Sequence, residues 1–101
     1  MKTCVFQPSS ATKTIAASTT TASASVSTMD NGKVFRIFNS TAAIAFIRIG
    51  RSGRIGNAVN TDMPIAAGQI EFIACTEKDD TVAVLLASGT GSVYITKGDC
   101  V

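Results

Sequence analysis

Four arginines, whose side chains could bind a negatively charged ligand, lie within nineteen residues in the middle of the chain. They are Arg36, Arg48, Arg51 and Arg54. Arginine presents a planar fork of donors that suits carboxylates and phosphates. A site for single-stranded nucleic acid also needs aromatic platforms along the basic path, whereas the phenylalanines near these arginines fit the core. We therefore expect solvated arginines or interface salt bridges, with nucleic acid a third and weaker alternative.

The remaining reactive residues do not form a recognisable active site. The chain has no histidine, the commonest general base and metal ligand. Its many serines and threonines therefore lack a base to activate them. Asp62, Glu71 and Asp99 are single carboxylates without a predicted partner, and Cys4 without a histidine is not a credible nucleophile. We expect no enzyme, and no catalytic, metal-binding or cofactor-binding residue.

Two short segments resemble ligand sites only superficially. Residues 50–56, GRSGRIG, space their glycines as GxxGxxG, without the Lys-Ser/Thr or the helix that a phosphate-binding loop needs. This segment is predicted to be a flexible loop between strands. Glu77, Asp79 and Asp80 could together bind calcium through carboxylate oxygens, but a solvated hairpin tip is the favoured interpretation.

Cysteine use and hydropathy suggest a chain made in a cytoplasm. Cys4, Cys75 and Cys100 contain no CxxC spacing. A Cys75–Cys100 disulfide is one alternative, and buried thiols in a reducing compartment are favoured over it. No signal peptide is evident after Lys2, and the longest apolar runs are too short to span a bilayer.

The composition predicts one globular domain with few surface charges. Of the 101 residues, 46% are hydrophobic and 16% are charged, with a net charge of +2. This length supports a single modest core. A surface built from Ser, Thr, Ala and Asn suits burial against a partner, which suggests an assembly protein.

Apolar and polar residues alternate in short segments separated by turn residues, and no window sustains a helical period. The segment Lys97-Gly98-Asp99 is predicted to end the fold. The predicted strands are residues 13–17, 21–28, 33–39, 43–49, 58–60, 69–74, 81–87 and 92–96.

Residues 18–28, STTTASASVST, allow two interpretations. Their composition is that of a disordered linker. Their period is that of a half-buried strand, with Ala22, Ala24 and Val26 on one side and serines on the other. We favour the strand because it would complete a sheet and cover an open edge.

The sequence therefore predicts an all-β protein, a single antiparallel β-sandwich of jelly-roll type with about seven or eight short strands. The sandwich is expected to span residues 12–101. Residues 1–11 contain Pro8 and show no period, so they are predicted to form an extended N-terminal arm. A frayed terminus is the alternative for the arm.

Three segments, VFRIFNSTAAIAFIRIG, TDMPIAAGQIEFI and TVAVLLASGTGSVYITKGD, resemble a family of small β-sandwich structural proteins of tailed bacteriophages. The resemblance covers residues 33–99 and departs at the first eleven residues and at Cys100-Val101. Most matching positions are turn or core positions. They are Val34, Arg36, Asn39, Ala45, Phe46, Arg48, Gly50, Asp62, Pro64, Gly68, Ala83, Gly89, Thr90, Tyr94 and Gly98.

The resemblance implies a virion component without catalysis, most plausibly a capsid decoration or cement protein assembled in the host cytoplasm. Its expected partners are the major capsid protein and further copies of itself, as a dimer or trimer, with no membrane. An extended arm gains interface area along a neighbour. The candidate interface residues are Lys2, Val5, Phe6, Arg48, Arg51 and Arg54.

Two alternatives remain. A neck or tail accessory protein would need the same fold and a similar surface. A receptor- or glycan-binding β-module is a different class, and it usually displays exposed Trp or Tyr. This chain has no Trp and only one Tyr, Tyr94.

Overall fold

The computed structural model describes residues 5–26 and 32–100, and within these ranges all regular structure is β. No helix in them is long and apolar enough to cross a membrane. The strands are β1 (Phe6–Pro8), β2 (Lys13–Ala17), β3 (Ala22–Ser25), β4 (Val34–Asn39), β5 (Ala45–Gly50), β6 (Met63–Ile65), β7 (Ile70–Ala74), β8 (Thr81–Leu86) and β9 (Gly91–Cys100).

The larger sheet has five strands and is built around the long strand β9. One side of β9 pairs with β4, which in turn pairs with β7. The other side pairs with β2 along its first half and with β1 at its end, where Phe6 lies opposite Cys100. All of these pairings are antiparallel.

The smaller sheet has the order β3-β8-β5-β6. Along the chain, every connection from β2 to β9 except β5–β6 passes from one sheet to the other. Because β1 and β2 both pair with the same side of β9, each sheet has four strand positions. Two such sheets joined in this way have the strand order of a jelly roll, so the predicted fold class is confirmed.

The core lies between the inner faces of the two sheets. Alternate residues of β4 point inward, and continuous apolar runs such as β8 are buried on both faces. The main buried apolar side chains are Ile15, Ala17, Val26, Phe35, Ile37, Ala45, Ile47, Ile65, Val82, Val84, Leu86, Val93 and Ile95.

The segment STTTASASVST contains strand β3, as the alternation predicts. Ala22 and Ala24 pack against the core, and Val26 is buried within it. β3 is an edge strand of the smaller sheet, and β8 is its only partner among the described strands. Residues 27 and 28 of the predicted strand lie outside the described residues.

Two boundary predictions are wrong. Residues 58–60 form no strand, whereas the segment around Pro64 forms β6. Proline is tolerated there because β6 is an edge strand, with β5 as its one partner among the strands that the structure describes. The chain also does not end its fold at Lys97-Gly98-Asp99, because these residues belong to β9.

Part of the predicted arm is incorporated into the larger sheet. Phe6–Pro8 form β1, and the backbone amides of Ser9 and Ser10 both donate to the carbonyl oxygen of Lys97. Gly98 allows this close approach, because a Cβ at that position would collide with the backbone of Gln7 and Pro8. The described strands number nine because β1 adds one to the predicted set.

Candidate functional site

The outer face of the five-stranded sheet carries an unusual set of side chains. In β4, Phe35, Ile37 and Asn39 are buried, while Val34, Arg36 and Phe38 alternate with them and are only half-buried. Successive strand residues point to opposite faces. The second set therefore lies on the side of the sheet that faces away from the core.

The strand register places further apolar residues on that outer face. Arg36 lies opposite Phe72 of β7, and Phe38 lies opposite both Ile70 of β7 and Tyr94 of β9. Directly opposed residues in an antiparallel pair project to the same face. Phe72 and Ile70 are 44% and 41% exposed.

The aromatic rings on this face form two contacts. Phe38 and Tyr94 are stacked, with ring centroids 6.0 Å apart and an interplanar angle of 20°. Phe6 and Phe72 are tilted by 50°, with ring centroids 5.6 Å apart. We use the term aromatic face for the surface formed by Phe6, Val34, Arg36, Phe38, Ile70, Phe72 and Tyr94.

Arg36 lies within this aromatic face and is half-buried. Among the described residues, the salt bridges are Lys33–Glu77 and Arg48–Asp62, and no carboxylate pairs with Arg36. A half-buried arginine without an ion pair has lost part of its hydration without gaining an anion. The arrangement can therefore accept a carboxylate from outside the chain.

The sequence-based expectation that the phenylalanines near the arginines fit the core is wrong for Phe38. Phe35 is fully buried, whereas Phe38 packs on Tyr94 on the outer face. The clean alternation of Ile70 and Phe72 with their polar neighbours identified two sides of β7. It did not show that the apolar side faces away from the core.

The six predicted interface residues are only partly brought together. Phe6 belongs to the aromatic face, and Val5 precedes it with 60% of its surface exposed. Arg51 and Arg54 are exposed in the loop between β5 and β6. The end of β5 and the start of β1 lie at the same end of the sandwich. Lys2 lies outside the described residues.

Arg48 forms a salt bridge within the chain, a contact that the sequence did not indicate. Its guanidinium donates to the carboxylate of Asp62, with Nε 3.1 Å from Oδ2 and Nη2 3.2 Å from Oδ1. Asp62 also accepts from the backbone amide of Val59 at 2.8 Å. The hydrogen bond from the Val59 amide lowers the pKa of Asp62 below its ordinary value, and the Arg48 guanidinium lowers it further. Desolvation of the carboxylate raises the pKa, but by less than these contributions together lower it.

The segment with Glu77, Asp79 and Asp80, predicted to be a solvated hairpin tip, accepts hydrogen bonds from elsewhere in the chain. Asp80 is buried, and its Oδ1 accepts from the backbone amide of Ser52 and from the hydroxyl of Thr81. Asp79 accepts from the backbone amide of Thr76. Within residues 5–26 and 32–100, no cluster of His, Cys, Asp or Glu is arranged to hold a metal ion.

Lys97 is a buried cation that the sequence did not reveal. Its side chain has no solvent exposure, and Nζ lies 5.6 Å from the centroid of the Phe35 ring. Nζ donates to the carbonyl oxygens of Asp79 at 2.5 Å and Glu77 at 3.2 Å. Lys97 therefore connects the loop between β7 and β8 to the interior of the sandwich through two hydrogen bonds.

The cysteines differ from both predicted arrangements. Cys100 is disulfide-bonded, whereas Cys75 is a thiol. The favoured set of three thiols and the alternative Cys75–Cys100 disulfide are therefore both wrong. Cys75 is separated from Cys100 because it follows β7 at the outer edge of the sheet, whereas Cys100 ends the central strand β9.

Comparisons of the chain with protein-family models, with curated proteins and with solved structures find no match.

Proposed function

We propose that this chain is a non-enzymatic structural virion protein, a capsid decoration protein of a tailed bacteriophage. It binds the outer surface of the capsid through its aromatic face and stabilises contacts between capsid subunits. The jelly-roll fold agrees with the sequence resemblance. Jelly rolls also serve unrelated functions, so the proposal depends on the site rather than on the fold.

The observation that carries the proposal is the exposed apolar surface of the larger sheet. Phe72 and Ile70 are both more than 40% exposed, and half-buried aromatic residues surround them. Contiguous exposed apolar patches mark interaction sites, and aromatic residues with arginine are enriched in protein interfaces. Burying this face against a capsid would remove it from water.

The end of the sandwich near β1 offers additional contacts. Val5 extends the apolar surface beyond Phe6, and Arg51 and Arg54 are exposed at the same end of the fold. A capsid subunit that covers the aromatic face would meet these residues at the edge of the interface. Rim arginines of this kind adjust association rate more than affinity.

The first test is the stoichiometry of the chain in purified virus particles, measured by quantitative mass spectrometry. A decoration protein is expected in many copies, in a small whole-number ratio to the major capsid protein. A few copies per particle would instead identify a neck or tail accessory protein. Absence from the particles would contradict both virion roles.

A second candidate function is glycan binding, and the stacked Phe38–Tyr94 pair favours it. Aromatic rings on an exposed sheet can pack against the apolar side of a sugar ring. The test is a glycan array probed with the purified chain and with a Tyr94→Ala variant. Reproducible binding that the variant loses would support this function, and an empty array would exclude it for the glycans tested.

A further inference from the structure

Arg36 is the single charged residue that the described strands place on the outer face of the larger sheet. From β1 to β9, the other outward-facing positions are apolar, small or hydroxyl-bearing. They are Phe6, Pro8, Thr14, Ala16, Val34, Phe38, Ile70, Phe72, Ala74, Ser92, Tyr94, Thr96, Gly98 and Cys100.

The strand register gives Arg36 aromatic neighbours on its own strand and on β7. Phe72 lies opposite Arg36 on β7, Phe38 is two residues further along β4, and Tyr94 is the cross-strand partner of Phe38. When a partner covers the face, these rings exclude water from the guanidinium. Charge pairs are stronger where water is excluded, and an unpaired charge there is costly.

We propose that the aromatic face binds an apolar protein surface carrying one carboxylate, and that this carboxylate pairs with Arg36. The inference rests on the proposed docking function, so the partner is the major capsid protein and the carboxylate belongs to an Asp or Glu side chain on its outer surface. The planar fork of arginine allows a bidentate pair, which fixes the orientation of the chain on the capsid.

Because the aromatic face carries a single positive charge, it suits a protein partner better than nucleic acid or an anionic membrane. Nucleic acid and anionic membranes present many negative charges and are bound by clusters of Lys and Arg. On this face one cation is surrounded by apolar side chains. One carboxylate within an apolar surface is the complementary arrangement.

The test is equilibrium binding of the purified full-length chain to capsids that lack it, with Arg36→Met and Arg36→Lys as the main variants. Methionine retains much of the aliphatic volume but removes the charge. We expect Arg36→Met to bind about 30-fold more weakly, because the partner carboxylate is left buried and unpaired. Arg36→Lys is expected to bind with intermediate affinity, because lysine keeps the charge without the bidentate geometry.

Lys78→Met is the control, because it also removes one positive charge, from an exposed loop outside the proposed interface. It is expected to bind within about twofold of the wild type, since an exposed charge outside the interface contributes little to affinity. Circular dichroism melting of each variant verifies that the fold is intact. Phe72→Ala, which removes apolar surface without changing the charge, reports separately on docking by the aromatic face.

The pattern of results separates this inference from the proposed function. If Phe72→Ala weakens binding while Arg36→Met binds like the wild type, the face docks without a carboxylate and the inference is overturned. If Lys78→Met weakens binding as much as Arg36→Met does, net charge rather than a carboxylate paired with Arg36 determines affinity, and the inference is overturned. A wild-type chain that does not bind capsids would overturn the proposed function and the inference together.

Discussion

Phe6 and Phe72 belong to strands at opposite edges of the larger sheet, and their ring centroids lie 5.6 Å apart across its outer face. This contact ties the start of the chain to the aromatic face. The pairing of β1 with β9 positions Phe6, and Gly98 leaves the room that this pairing needs. Part of the predicted arm is therefore already a component of the surface that we propose binds the capsid.

Replacing Phe72 with alanine is expected to weaken capsid binding far more than it weakens the fold. Aromatic residues near the centre of an interface often contribute 2 kcal/mol or more, which corresponds to about 30-fold in affinity. The side chain is 44% exposed, so its loss is expected to lower the free energy of unfolding by only about 1 kcal/mol. Binding isotherms and urea denaturation measure the two effects.

Met63→Ala is the matched control for this variant. Met63 is also 44% exposed, but it lies on β6 of the smaller sheet, away from the aromatic face. It is expected to bind capsids like the wild type. Equal losses of affinity in the two variants would show that exposed apolar area, and not the aromatic face, determines binding.

The Arg48–Asp62 salt bridge is expected to make stability depend on pH in the acidic range. The pKa of Asp62 is lowered in the folded state, so its contribution is complete above the ordinary value of 3.8 and is lost as the pH falls through the lower folded value. Asp62→Asn is therefore expected to lower the free energy of unfolding by about 1 kcal/mol at neutral pH. The difference from the wild type should be smaller at pH 3, below the ordinary pKa of 3.8, than at neutral pH.

Urea denaturation of the wild type and the variant at both pH values tests this expectation. Glu77→Gln is the control, because the exposed Lys33–Glu77 pair is 3.9 Å apart and should contribute less than about 0.5 kcal/mol. A stability difference for Asp62→Asn that persists unchanged at the lower pH would contradict a role for the ionised carboxylate.

Lys97→Met is expected to destabilise the protein even though it replaces a buried charge with an apolar side chain. The carbonyl oxygens of Glu77 and Asp79 remain in place and lose their donor. An unsatisfied buried polar group costs about 1–3 kcal/mol. Lys78→Met, an exposed lysine in the same loop, should leave stability unchanged. A Lys97→Met protein as stable as the wild type would show that the loop does not depend on this lysine.

The cysteines are expected to differ in their reaction with iodoacetamide under denaturing conditions. Cys75 is a thiol and should be alkylated without a reducing agent. Cys100 is disulfide-bonded and should be alkylated only after reduction. Peptide mapping by mass spectrometry distinguishes the two. Alkylation of Cys100 in the unreduced protein would show that its disulfide does not form.

Alternation at the two-residue period was sufficient to predict the jelly-roll class and most of the strands, including the serine-rich strand β3, but it missed β1 and β6. It was not sufficient to predict which side of β4 or β7 faces the core. Val34 and Phe38 are as apolar as Phe35 and Ile37, so either side of β4 could have been buried. The choice depends on strand pairing, which brings together residues that are distant in sequence.

Alternation was also not sufficient to predict the partners of two charged residues, the buried Lys97 and the paired Arg48. Lys97 follows an apolar strand and is next to glycine, which is typical of a solvated strand end. It is buried because the loop containing Glu77 and Asp79 supplies carbonyl acceptors. Arg48 finds Asp62 because β5 and β6 are paired, with Ile47 opposite Met63. Neither partner could be identified before the sheets were assembled.

Hydroxyl-radical footprinting, performed on the free chain and on the chain bound to capsids, tests docking by the aromatic face most directly. The proposed interface predicts that Phe38, Phe72 and Tyr94 are oxidised more slowly on the capsid, while Met63 on the opposite sheet is oxidised at the same rate in both states. Protection of Met63 with no change at Phe72 and Tyr94 would contradict docking through this face.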